Sequence, residues 1–143
     1  METDTLNNIV CSGGIILAKN TKRFLFLLRN KENVWGFVGG QRESTDQTPI
    51  ETLNREINEE VGSVASIEKI IPLELYISKD EKFFYNTYIL IVEKEFVPML
   101  NGEHQGYAWV NYGNWPRPLH QAVKTSLNNK SNKTKLEVIL DLI

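Results

Sequence analysis

At 143 residues the chain has room for one hydrophobic core and little more, so a single domain over residues 1–143 is expected. Hydrophobic residues make up 41% and charged residues 24%, as in an ordinary globular protein. A formal net charge of −2 argues against broad charge-driven binding to nucleic acid or membrane, but not against a small nucleotide whose charge a metal could neutralise.

The one cysteine, Cys11, rules out an intrachain disulfide and suits a reducing cytoplasm. It lies in an apolar stretch with no basic neighbour and reads as a buried strand thiol rather than a nucleophile. The opening METDTLNN lacks the basic and apolar regions of a signal peptide. No apolar run approaches the roughly 20 residues of a membrane span. A cytoplasmic location is therefore expected.

Residues 9–18 (IVCSGGIILA) read as a buried strand, with Gly13 and Gly14 allowing a bulge or close packing. Asn20-Thr21 marks a turn, and residues 23–29 (RFLFLLR) read as the hairpin partner. A glycine-punctuated loop is expected from Asn30 to Gln47, interrupted by an apolar piece at Val34–Val38. A helix then has clear ends. Thr48 can cap it, Pro49 opens it, Glu51 completes a capping box and Gly62 stops it. Two long strands follow at 67–78 and 82–93, then a short one at 106–110. Helices are expected at about 119–127 and 133–142. This order predicts an α/β fold, a mixed sheet with helices packed on it.

The chemistry concentrates in Gly39–Ser63, GGQRESTDQTPIETLNREINEEVGS. On a helix from Pro49, Ile50, Leu53, Ile57 and Val61 share an apolar stripe. Glu56, Glu59 and Glu60, spaced i, i+3 and i+4, share a patch beside it, flanked by Arg55. Like charges so placed destabilise a helix by a few tenths of a kcal/mol per pair unless a cation sits among them. Mg²⁺ is such a cation, taking carboxylates together with substrate phosphates. A bare ExxEE is more often a solvated acidic face. Here it follows a Gly-Gly loop at a helix entrance, where backbone can approach a phosphate or metal closely.

This stretch resembles the signature of the Nudix hydrolases, G-x5-E-x7-R-E-U-x-E-E-x-G-U, with U a bulky aliphatic residue. Arg55-Glu56-Ile57-Asn58-Glu59-Glu60-Val61-Gly62 matches its second half and Gly39-Gly40-Gln41-Arg42-Glu43 its front. The box covers about a sixth of the chain. There are three departures. One extra residue separates Gly40 from Arg55, Ser63 replaces the last aliphatic, and the upstream glutamate falls on Gln47, with Asp46 or Glu43 as substitutes. In the family that glutamate mainly braces the box arginine, so its loss bears on positioning more than on metal binding.

The resemblance implies an α/β/α sandwich around a mixed sheet. It implies an Mg²⁺-dependent pyrophosphohydrolase, Mn²⁺ being the alternative ion. Glu56, Glu59 and Glu60 would hold metal, with the Gly39 carbonyl a further ligand, and Arg55 would orient the carboxylates. The metal would activate a water to attack phosphorus. Glu103, in a late loop, is the candidate base or further ligand, weighed evenly against a solvated loop acid. His104 could assist but reads as a surface group, and His120 is expected at a helix start.

Arg29 and Arg42 are candidate phosphate contacts. Trp35, Phe37, Phe84, Tyr85, Tyr88 and Trp115 are candidates for base stacking and Trp35 is the best of them, although packing is the commoner role for a strand aromatic. Lysines 124, 130, 133 and 135 read as solvated helix charges. The expected partner is a small nucleotide-like substrate such as a nucleoside triphosphate or nucleoside diphosphate-linked compound. Hydrolysis of dinucleoside polyphosphates, ADP-ribose or RNA ends is the nearest alternative, and a non-catalytic nucleotide-binding module, which Gln47 favours slightly, is the other. A homodimer is left open.

Overall fold

A computed structural model describes residues 8–63 and 66–143, so all but the last residue of METDTLNN lie outside it. The apolar first stretch becomes β1 (Ile9–Ala18), followed across the turn by β2 (Arg23–Arg29). Two short strands come next, β3 (Trp35–Gly36) and β4 (Val38–Gln41), then α1 (Pro49–Glu60). The long strands are β5 (Ile67–Ile77) and β6 (Phe83–Val92), and β7 spans His104–Asn111. Helices α2 (Gln121–Asn128) and α3 (Lys130–Leu142) end the chain.

Seven strands among the described residues form one mixed sheet. β1 lies at its centre and runs parallel to β6 along its whole length, from Ile9↔Phe83 to Ala18↔Val92. Its other edge is shared. The amino-terminal half, Cys11–Gly14, pairs antiparallel with β4, and the last two residues pair with β2. β2 in turn carries β7. The segment expected as loop from Asn30 to Gln47 is thus partly sheet. Glycine supplies no apolar period there, and the ladder with β1 makes the strand.

Alternation along β1 sends Ile15 and Leu17 to one face and Ile16 and Ala18 to the other. On the second face Leu53, Ile57 and Val61 of α1 close a core with Leu25, Leu27 and Leu90. On the first, Leu127, Leu136 and Ile139 of α2 and α3 close another over Phe24, Phe26 and Ile89. Helices therefore cover both faces of a mixed sheet, the α/β/α sandwich expected. The last helices are also anchored by polar contacts. Ser126 and Asn132 donate to Glu74 of β5, and Lys135 donates to the Leu73 carbonyl at 2.8 Å, so Lys135 is not the solvated charge expected. None of the described helices is long and apolar enough to cross a membrane.

The α1 boundaries follow the sequence signals. The Thr48 hydroxyl accepts from the Glu51 amide, and the Glu51 carboxylate reaches back to the Gln47 amide. Gly62 leaves the helix at φ +83°, a conformation that favours glycine. Ile50 departs from the expected stripe. It sits in the first turn at 39% exposure, beyond the reach of the sheet.

Candidate metal and active site

Two glycines of β4 bring sheet and helix together. Gly39 faces Gly13 across the β1 ladder, and a Cβ there would lie 2.7 Å from the Gly13 Cα, the Ser12 carbonyl oxygen and the Tyr85 hydroxyl. A Cβ on Gly40 would overlap the carboxylate of Glu56. Side chains have been removed here so that the α1 carboxylates can lie against backbone. Glu60, 2% exposed, accepts from the Gly39 amide at 3.4 Å.

The three box glutamates lie on one patch but in different surroundings. Glu56 and Glu60 are buried and hydrogen-bonded to each other, while Glu59 stands exposed at the rim. Burial drives the Glu60 carboxyl far above the usual carboxylate range, and the hydrogen bond to Glu56 and the negative charges of Glu56 and Glu103 push it the same way. The proton it holds is what a cation would displace.

Arg55 joins the patch to the preceding loop. Its Nη1 donates to Glu56 at 3.0 Å and to Glu59 at 3.3 Å, and its Nη2 donates to the Gln41 carbonyl at 2.8 Å. Nη2 and Nε also donate to Asp46, at 2.9 and 3.2 Å. Asp46 is itself buried and accepts from the Thr52 hydroxyl and the Glu43 amide, both at 3.0 Å. The hydrogen bond from Arg55 holds the Asp46 carboxyl down at about 2, and Asp46 in turn raises the Arg55 guanidinium.

Asp46, one of the two substitutes expected for the upstream glutamate, therefore braces Arg55 from the position before Gln47. Counted back from Arg55 the box glutamate falls on Gln47, but counted forward from Gly40 it falls on Asp46. The extra residue follows Asp46, and Gln47 only offers its amide to the capping box. Glu43 adds a weaker contact to Arg55 at 3.4 Å.

The late loop arrives at the same place. Asn101 donates to the Glu59 carbonyl at 2.8 Å, and its side-chain oxygen accepts from the Glu103 amide at 3.0 Å. Asn30 bonds the carbonyls of Gly102 and Glu103. The backbone is tied to α1 and to the end of β2, although the Glu103 carboxylate is exposed. Ligand atoms of Glu60, Glu103 and His104 all lie within 4.8 Å of one another. His104 is buried at 8% exposure, against the surface position expected, because it opens β7 beneath the tied loop. Burial, then the nearby Arg29 charge, lower its pKa, favouring neutral imidazole.

A cavity of about 380 Å³ opens over this cluster, lined by Arg29, Lys31, Phe37, Gly39, Glu60, Glu103 and His104 among others. Of the two candidate phosphate contacts, Arg29 lines this cavity. Trp35 and Arg42 lie outside the lining. Trp35 packs against the core beneath α2 and α3, and Arg42 donates to the Asp46 carbonyl at 3.1 Å. Phe37, another of the stacking candidates, does line the cavity, and Lys31 is a lining residue that the sequence did not single out. Cys11 is only partly buried, and its thiol is raised by burial and by Glu56, which disfavours a nucleophile. His120 caps α2, as expected, accepting from the Ala122 amide.

The sequence matches the NUDIX domain family over residues 10–128. It is 33% identical over 113 residues to the dihydroneopterin triphosphate diphosphatase of Haemophilus influenzae, covering 68% of this chain and 70% of that protein. Among solved structures, the fold resembles the E. coli dihydroneopterin triphosphate pyrophosphohydrolase at a TM-score of 0.58 and 20% identity, over 94% of this chain and 96% of that one. It also resembles the NUDIX domain of Shewanella oneidensis NrtR, solved with ADP ribose, at a TM-score of 0.70 and 13% identity, over 90% and 88% of the two chains.

Proposed function

This chain belongs to the Nudix hydrolase family of pyrophosphohydrolases, and we propose that it hydrolyses a phosphoanhydride bond in a nucleoside triphosphate or a similar triphosphate ester, using Mg²⁺ or Mn²⁺ in the cytoplasm. The observation that carries this reading is the Arg55 bridge. One guanidinium, braced by Asp46, orients Glu56 and Glu59 beside buried Glu60. A module that only bound nucleotide would have no need of carboxylates held together against their own repulsion.

In this reading Glu56, Glu59 and Glu60 would hold the cation, with the Gly39 carbonyl as a further ligand, and a cation bound there would supply neutralisation of phosphate charge and a more acidic water. Glu103 accepts the proton of the attacking water. Arg29 and Lys31 receive the phosphates, and Phe37 offers a face to the base. The relationship to the Haemophilus influenzae enzyme favours a pteridine-like or purine-like base, so dihydroneopterin triphosphate belongs among the first substrates to test.

The test is a panel of nucleoside triphosphates, dihydroneopterin triphosphate, ADP-ribose and dinucleoside polyphosphates, with and without Mg²⁺, scored for phosphate and pyrophosphate. Metal-dependent release of pyrophosphate from a triphosphate is the expected result. Glu103→Gln should lower turnover at least tenfold. No turnover of any panel member would overturn the reading, and unchanged kinetics of the variant would remove Glu103 from it.

A further inference from the structure

A buried histidine beside a carboxylate cluster needs an account. His104 has 5% of its side chain exposed, and its Nδ1 has no hydrogen-bond partner among the described residues. Its Nε2 lies 3.9 Å from a Glu60 oxygen, too far for a hydrogen bond. A buried imidazole nitrogen left without a partner costs about 1–3 kcal/mol.

The ring is nevertheless fixed in place. Its amide bonds the Asn101 carbonyl, and its strand pairs with Arg29 at the bulge that ends the β2–β7 ladder. This brings one nitrogen donor and two carboxylates within 4.8 Å of one another, at the wall of the cavity.

We propose that His104, Glu60 and Glu103 form a metal position with mixed nitrogen and oxygen ligands, which makes this enzyme prefer a transition-metal ion such as Mn²⁺ or Co²⁺ over Mg²⁺. Mg²⁺ is a hard ion that takes oxygen ligands and holds its waters. Imidazole adds affinity for first-row ions in the order Mn²⁺ below Co²⁺ below Ni²⁺. Glu60 belongs to both this position and the box patch, so His104 would act on the ion nearest the loop, leaving Glu56 and Glu59 to serve the other side. The inference rests on the metal-dependent reading above and adds to it the identity of the ion.

The test uses the full chain with Mn²⁺ and no nucleotide, so that nitrogen can come only from protein. Pulsed electron paramagnetic resonance should detect ¹⁴N coupled to bound Mn²⁺ in the parent and not in His104→Gln. Titration should show Co²⁺ and Mn²⁺ binding weakened about tenfold or more in His104→Gln while Mg²⁺ binding changes less than threefold. Glu103→Gln, which alters an exposed side chain, should weaken all three ions and retain the ¹⁴N signal.

Absence of ¹⁴N coupling in the parent overturns the proposal even if His104→Gln fails to fold. So does coupling that persists in a folded His104→Gln. Mn²⁺ bound without nitrogen, in a protein that still hydrolyses a triphosphate, defeats this inference alone. No bound Mn²⁺ and no hydrolysis defeats the reading beneath it as well.

Discussion

Asp46 shows how one side chain can carry both stability and function. Its carboxyl is held at about 2 in the folded protein, chiefly by Arg55, against an ordinary 3.8. The folded pKa is depressed, so the stabilisation is fully present above the unfolded value and is lost as pH falls through the folded one. The difference corresponds to about 2 kcal/mol at neutral pH. Urea denaturation from pH 6 down to pH 2 should show that amount disappearing below about pH 4 in the parent, and a flatter profile in Asp46→Asn. The same variant should lose at least tenfold in turnover, because Arg55 would no longer be held against Glu56 and Glu59. Gln47→Glu, which restores the family residue, should change turnover less than twofold. A large gain would show that Arg55 is incompletely braced as it stands. The sequence held the signal for Asp46 in the count forward from Gly40. It held none for His104, whose polar neighbours resemble a surface loop and whose burial comes from Asn30 and Asn101 tying that loop down.

Elements were legible where local chemistry and tertiary packing agree. α1 starts at Thr48 and stops before Gly62 because its caps and its Leu53, Ile57 and Val61 stripe specify the same helix. Thr48→Ala should cost about 1 kcal/mol of stability, measured by thermal or urea unfolding, with turnover nearly unchanged. β4 was missed because two of its four residues are glycines, whose purpose is to yield space rather than to fill it. Gly40→Ala tests that purpose directly. The new methyl group would displace the Glu56 carboxylate, so metal affinity by calorimetry should fall at least tenfold while unfolding shifts by only about 1–3 kcal/mol. Glu60→Gln separates function from stability in the opposite direction. It removes a crowded, protonated acid at constant volume, so stability without metal should hold or rise while turnover collapses.

At the scale of the whole molecule, one face of the sheet carries α1 and its carboxylate patch, and the other carries α2 and α3 over a separate core. The architecture was readable from the order of strands and helices. A mixed sheet was expected from that order too, but which strands run parallel depends on a pairing between distant segments that no local pattern announces. That pairing, Ile9↔Phe83 through Ala18↔Val92, has a consequence in time. A ribosome finishes β1, β4 and α1 well before β6 exists, and α1 has only half a floor to lie on until β6 arrives. Chains halted before residue 83 should therefore be protease-sensitive throughout, while chains extended past Val92 by enough linker to clear the exit tunnel should gain protection in β1 and α1 together. The segment that holds the chemistry is among the earlier parts made and among the later ones to become structured.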